Sequence, residues 1–121
     1  MTIQKKQTTL LDRAECNQHL AGVQDALYVL NGKWKLPIII ALAEGHTRFK
    51  ELQRTVSGIT PKLLTKELRE LEINEFVIRK VYPTTPVRIE YELTPYSDTL
   101  QPIIKALSDW GKQHRARIQS R

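Results

Sequence analysis

The 121-residue sequence predicts a mainly α domain with one small β-hairpin, an α+β fold, on three observations. Apolar residues recur at three- and four-residue steps over five separate stretches, the period of a helix with one buried face. One stretch, Val87 to Leu93, alternates apolar and charged residues instead, the period of a half-buried strand. Two Thr-Pro pairs, Thr60-Pro61 and Thr94-Pro95, set a hydroxyl N-cap before a proline at the first helical position.

Taken in order, residues 1–11 are polar with two lysines and are expected to form a flexible N-terminal arm. Residues 12–30 read as a helix through Leu20, Val23, Leu27 and Leu30, ended at Asn31-Gly32 by a glycine suited to a left-handed cap. Lys33 to Glu44 (K-W-K-L-P-I-I-I-A-L-A-E) is apolar nearly all round, which puts this second helix at the centre of the core. Pro37 falls within its first turn, where a missing N–H is tolerated. His46-Thr47 is a connection or a short strand. Arg48 to Val56 makes a third helix with Phe49, Leu52 and Val56 inward, and Ser57-Gly58-Ile59 turns the chain into a fourth, Thr60 to Ile73. Two short helices joined by a glycine-containing turn, spanning residues 48–73, form a helix-turn-helix. Residues 76–93 then read as a hairpin, with Phe76 to Tyr82 as one strand, Pro83 to Pro86 as the turn and Val87 to Leu93 as the other strand. Helix, helix, helix, hairpin is the order of a winged helix-turn-helix. A last helix, 95–119, carries Leu100, Ile103, Ile104, Leu107 and Trp110 as a stripe and is expected to kink at Pro102. It has little core left to cover. Residues 12–121 thus read as a single domain whose terminal helices, 12–30 and 95–119, form a dimer interface.

The fourth helix is the element with a function to offer. At 100° per residue Leu64, Leu68 and Leu71 fall on one side, and Thr65, Lys66 and Arg69 lie within about 60° of Lys62 on the other. Glu67 and Glu70 sit on one flank and Glu72 on the other, so the basic face is free of carboxylates. A basic, hydroxyl-bearing helix face suits a DNA major groove. Net charge is +6, which favours a polyanionic partner, yet residues 60–93 carry six basic and six acidic side chains. The nucleic-acid reading therefore rests on which face the charges occupy. Thr60 and Pro61, at the helix start, stand near bases or backbone, and Arg69 suits a phosphate. Arg48, Lys50 and Arg54 on the preceding helix and Arg79, Lys80 and Arg88 around the hairpin are further phosphate candidates.

Other functions find less support. The longest apolar run, Leu36 to Ala43, is eight residues with a proline, too short for a membrane span, and the first residues are not a signal peptide. Three scattered histidines and one cysteine have no metal-ligand spacing, so neither metal nor cofactor is expected. Cys16, with His19 three residues on, is the one candidate for thiol redox chemistry or a nucleophile; alone it forms no internal disulfide and suits a reducing cytosol. An enzyme would need more than that pair. A winged helix used for protein–protein contact would present an acidic or apolar face rather than a basic one. A hydrophobic effector could lie between the terminal helices, although no residue identifies one.

The motifs A-L-Y-V-L-N-G-K-W-K (26–35), R-F-K-E-L (48–52), G-I-T-P-K-L-L-T-K-E-L-R-E-L-E (58–72), P-V-R-I-E-Y-E-L-T (86–94) and D-W-G-K-Q-H (109–114) resemble, in order and spacing, those of the HxlR-type winged helix-turn-helix transcriptional regulators of bacteria. The resemblance implies a cytoplasmic homodimer that binds double-stranded DNA at a short inverted-repeat operator and activates or represses nearby genes. It makes Thr60 to Ile73 the recognition helix and Tyr82 to Arg88 the wing tip. Two positions depart from the pattern. Family members often carry C-P-V about eleven residues before the glycine of G-K-W; here Ala21 stands there, and Cys16 lies five residues earlier, so a sensing role does not carry over. Ser97 stands where the family usually has a glycine after L-T-x-x, a change not expected to alter function.

Overall fold

The computed structural model describes residues 12–121, so the arm expected over residues 1–11 lies outside the described residues. The described residues divide into two compact units, with the boundary between Asn31 and Gly32. In the first, α1 (Arg13–Val29) starts on Asp12, whose side chain accepts a hydrogen bond from the Glu15 N–H at 2.8 Å. Its apolar residues Leu20, Val23 and Leu27 are all more than half exposed.

The second unit runs α2 (Lys35–Ala43), α3 (Phe49–Thr55), α4 (Pro61–Ile73), β1 (Val77–Tyr82), β2 (Arg88–Leu93), a 3-10 turn (Pro95–Leu100) and α5 (Gln101–Gln119). Its core is built as the periodicities require. Ile38, Ile39 and Leu42 of α2 meet Leu52 and Val56 around α3, Leu64, Leu68 and Leu71 of α4, and Phe76 and Val77 at the start of the hairpin, all buried. Each such side chain contributes about 1.5–3 kcal/mol by leaving water. The helix-turn-helix bend is made at Gly58, whose φ of 91° lies in the left-handed region that a side chain resists.

Thr60 caps α4, its Oγ1 accepting from the Leu63 N–H at 3.2 Å, with Pro61 as the first helical residue. The helix ends in a Schellman turn: the Phe76 N–H donates to the Leu71 carbonyl and the Glu75 N–H to the Glu72 carbonyl. Glu75 occupies the left-handed position, φ 68°, that glycine usually fills. The antiparallel strands pair Val77 with Leu93, Arg79 with Tyr91 and Val81 with Ile89 on one face. Ile78 opposite Glu92, Lys80 opposite Glu90 and Tyr82 opposite Arg88 make the other. The expected short strand at His46-Thr47 reduces to one ladder-like bond, the Tyr91 N–H donating to the Thr47 carbonyl at 2.8 Å. Strand β1 packs on α4, while β2 packs on α2 and α3.

Beyond the hairpin the structure corrects the expected kink. Pro102 bends no helix: residues 95–100 form a 3-10 turn, and Pro102 sits in the first turn of a new helix, α5. A proline there lacks only an N–H that has no helical partner anyway. Ser97, in place of the usual glycine, is buried; its hydroxyl donates to the Thr94 carbonyl at 2.6 Å and the backbone closes without strain. No residue of α5 is buried, and Ile103, Leu107, Trp110 and Ile118 are exposed along it.

Candidate nucleic-acid interface

The sequence-predicted face of α4 is present. With Leu64, Leu68 and Leu71 sealed beneath, Pro61, Lys62, Thr65, Lys66 and Arg69 are all exposed at the surface. The two hydroxyls also serve the backbone: Thr60 Oγ1 caps the helix, and Thr65 Oγ1 donates to the Pro61 carbonyl at 2.9 Å.

One expectation fails. The basic face is not free of carboxylates, because Lys66 Nζ lies 3.1 Å from Glu70 Oε2 and 3.8 Å from Glu67 Oε2. The helical wheel separates positions 66 and 70 by only about 40°, and long side chains close that gap. Among the described residues no carboxylate pairs with Lys62 or Arg69, so these two are the uncompensated cations of the face.

The other predicted cations gather in two places and scatter elsewhere. Arg69 and Arg79 converge with Thr65 in a notch of about 640 Å³ between α4 and the hairpin, completed by Glu72, Ile73 and Tyr91. Arg48, Lys50 and Arg88 line a second cleft, of about 590 Å³, between the start of α3 and the wing. Arg54, Lys62 and Lys80 line neither. Tyr91 was missed as a contact because alternation along β2 marks it only as core-facing. Its register opposite Arg79 is what turns it toward the notch.

Local pairing tunes these groups. Lys80 titrates above the ordinary lysine value because Glu92 accepts its hydrogen bond, with the Glu92 carboxylate 2.9 Å away. Arg88 lies over the Tyr82 ring, 4.2 Å from its centroid. Its Nε is 2.8 Å from Glu90 Oε2, near enough for an ion pair but at an angle that makes no hydrogen bond. Glu51 reaches back to the backbone N–H groups of Arg48 and Thr47, at 3.1 and 3.2 Å, and those two donors hold its carboxyl below the usual glutamate value. That carboxylate fixes the start of α3 and so the direction in which Arg48 leaves it.

Beneath the α4 face lies an ion cluster that hydrophobic periodicity did not reveal. Lys35, 1% exposed in the otherwise apolar α2, donates to Glu67 Oε1 and Glu70 Oε1, each at 2.6 Å. Desolvation alone would lower the lysine's pKa; the two carboxylate hydrogen bonds overcome it and raise it above the ordinary value. Lys35 first and Lys66 second hold Glu70 below the usual glutamate range. The available signal was a lone lysine in an apolar helix, with two glutamates three residues apart on another.

Among the described residues no cluster of His, Cys, Asp and Glu could hold a metal ion, and Cys16 is exposed on α1. No helix there is long and apolar enough to cross a membrane. A groove of about 510 Å³ between α2, the 3-10 turn and α5 is lined by Ile39, Ile40 and Ile104 together with Lys105, Asp109 and Lys112.

Comparison with known proteins agrees with this fold. Residues 29–119 match the family described as HxlR-like helix-turn-helix. The HTH-type transcriptional regulator BH0655 of Halalkalibacterium halodurans is 40% identical over 111 residues, covering 87% of this chain and 98% of that one. Among solved structures, the redox regulator HypR in its reduced form is 38% identical and superposes with a TM-score of 0.75 over 83% of this chain and 99% of its own. The reduced transcriptional regulator YodB of Bacillus subtilis is also 38% identical, with a TM-score of 0.68 over 76% and 90% of the two chains.

Proposed function

The chain belongs to the HxlR-like helix-turn-helix family of transcriptional regulators, and from that premise we propose that it acts in the cytoplasm as a homodimer that reads an inverted-repeat operator in double-stranded DNA. One observation carries the reading: α4 buries Leu64, Leu68 and Leu71 and turns Lys62, Thr65, Lys66 and Arg69 outward from a helix whose first residues, Thr60 and Pro61, are exposed. In the proposed complex α4 enters the major groove, where Lys62, Thr65 and Lys66 meet base edges or nearby phosphates. Thr60 and Pro61, at the positive end of the helix dipole, approach the backbone. Arg69 with Arg79, and Arg48 with Lys50 and Arg88, use the two clefts to take phosphates on either side of the contact. Arg54 and Lys80 add charge at the margin.

The dimer is supported by apolar surface that a lone chain leaves wet. Leu27 and Trp110 are each 63% exposed, and both lie on stripes with other apolar residues. Two copies would place two α4 helices on successive major-groove faces, which is why the operator is proposed as an inverted repeat. The groove between α2 and α5 has the room and the apolar lining for a small effector.

Selection of bound sequences from random duplex DNA tests the proposal. A palindromic site supports both reader and dimer, whereas no enrichment over the starting pool contradicts the reading. A thiol-sensing variant has one support, the likeness to a redox regulator together with an exposed Cys16. Diamide treatment that leaves DNA binding and migration on a non-reducing gel unchanged would dismiss it.

A further inference from the structure

Taken alone, α4 is a poor DNA ligand. It carries Lys62, Lys66 and Arg69 against Glu67, Glu70 and Glu72, so its side chains sum to no charge. Two of those carboxylates are held from below. Lys35 Nζ is 2.6 Å from Glu67 Oε1 and from Glu70 Oε1, and the lysine is 1% exposed, out of reach of any DNA. Glu70 is shared: its other oxygen, Oε2, lies 3.1 Å from Lys66. The Lys66 side chain is 59% exposed, and a lysine four residues before its glutamate is the weaker orientation of a helical pair. Lys66 can therefore swing outward without leaving an unpaired carboxylate, since Lys35 keeps both glutamates.

We propose that Lys35 is a positioning residue for DNA binding that never meets the DNA: by holding Glu70 from beneath, it leaves Lys66 able to exchange that carboxylate for a phosphate oxygen. Without Lys35, Glu70 would have Lys66 as its one counterion, and each phosphate contact by Lys66 would strand a negative charge beside the DNA. The inference rests on the DNA reading above.

A set of four proteins separates this role from mere support of the fold: wild type, Glu70→Gln, Lys35→Met/Glu67→Gln, and the last with Glu70→Gln added. The double variant removes one positive and one negative charge, so net charge is unchanged. Each protein is titrated against a short fluorescein-labelled mixed-sequence duplex at several KCl concentrations, by fluorescence anisotropy. The double variant is expected to bind roughly three- to tenfold more weakly and to lose about one from its salt slope for each subunit that contacts DNA, the signature of one lost phosphate contact per subunit. Adding Glu70→Gln restores both, whereas the same change in wild type alters affinity far less. Equal gains in the two backgrounds, or no recovery in the triple variant, overturn the proposal. A wild type that binds no duplex at any salt overturns the DNA reading and this inference with it; the other failures spare that reading.

If the double variant does not fold, lysine ammonium resonances of the wild-type protein decide. On adding duplex, the Lys66 signal is expected to move while that of Lys35 stays slowly exchanging and in place. A Lys35 ammonium that exchanges like a surface lysine, or a Lys66 signal that does not move, overturns the proposal.

Discussion

Lys35 and Glu67 join the core helix α2 to α4 through a 2.6 Å ion pair whose side chains are 1% and 7% exposed. A pair so placed gains little net energy over apolar packing, but removing one partner strands a charge in a dry site. Lys35→Ala should therefore lower folding stability by about 3–5 kcal/mol. Lys35→Met/Glu67→Gln, which leaves no charge stranded, should cost distinctly less. Urea denaturation of the two variants checks the order, and equal losses would mean that burial of the charge is not what sets the cost.

The end of α4 offers a gain rather than a loss. Glu75 holds φ at 68° in a Schellman turn, a conformation that costs an L-residue about 1–2 kcal/mol and glycine almost nothing. Glu75→Gly should raise stability by roughly 0.5–1 kcal/mol, the relief of strain exceeding the added freedom of the unfolded chain. A lower urea midpoint would show that the Glu75 side chain matters more than its backbone.

Stability should fall at both ends of the pH scale. Glu70 and Glu51 titrate below the ordinary glutamate range when folded, so the unfolded chain takes up protons there first. Their contribution is complete above about pH 4.3, the unfolded value, and is lost as pH drops through the depressed folded values. Lys35 and Lys80 titrate above the lysine range when folded. Their contribution is complete below about pH 10.4 and is lost as pH climbs through the raised values. Urea midpoints should thus be flat between about pH 5.5 and 9.5 and decline outside that window. Glu70→Gln should flatten the acid limb; an unchanged acid limb would remove Glu70 from the explanation.

The stripe on α5 predicts an association. Trp110, stacked on His114 at a centroid distance of 4.9 Å, presents its other face outward with Leu107. Trp110→Glu should convert a dimer to single chains in sedimentation equilibrium, since an unpaired charge is costly to bury in an apolar interface. Wild type that sediments at the 14.0 kDa chain mass across micromolar concentrations would contradict the dimer.

Much of this was legible in the residues, for physical reasons. Thr60-Pro61 and Asn31-Gly32 mark helix ends by backbone chemistry that acts locally, and alternation through residues 87–93 reports a strand whatever surrounds it. Leu64, Leu68 and Leu71 went inside because their period allows one buried face. What pattern could not show depends on contacts between distant segments. Lys35 passed unremarked inside a helix read as apolar nearly all round, because burial of a lysine is decided by carboxylates 32 and 35 residues away. Lys66 read as a free cation because a wheel projects directions and ignores side-chain reach. Pro102 read as a kink because the pattern ran unbroken through Leu100. The same proline also suits the first turn of a helix, and the chain took that course. In the candidate interface, the α4 face was legible, whereas the two clefts that gather Arg79 with Arg69 and Arg88 with Arg48 required the hairpin's register.

Charge carried by α4 to DNA phosphates is measured most directly by the salt dependence of binding. With the duplex selected by the wild-type protein, log affinity should fall against log salt with a slope of roughly −5 to −7 if the dimer neutralises about six to eight phosphates. Lys62→Ala/Lys66→Ala, folded to the same melting temperature, should bind more weakly and reduce that slope by about two for each subunit that contacts DNA. A wild-type slope near zero, or a double variant with unaltered affinity and slope, would contradict the account.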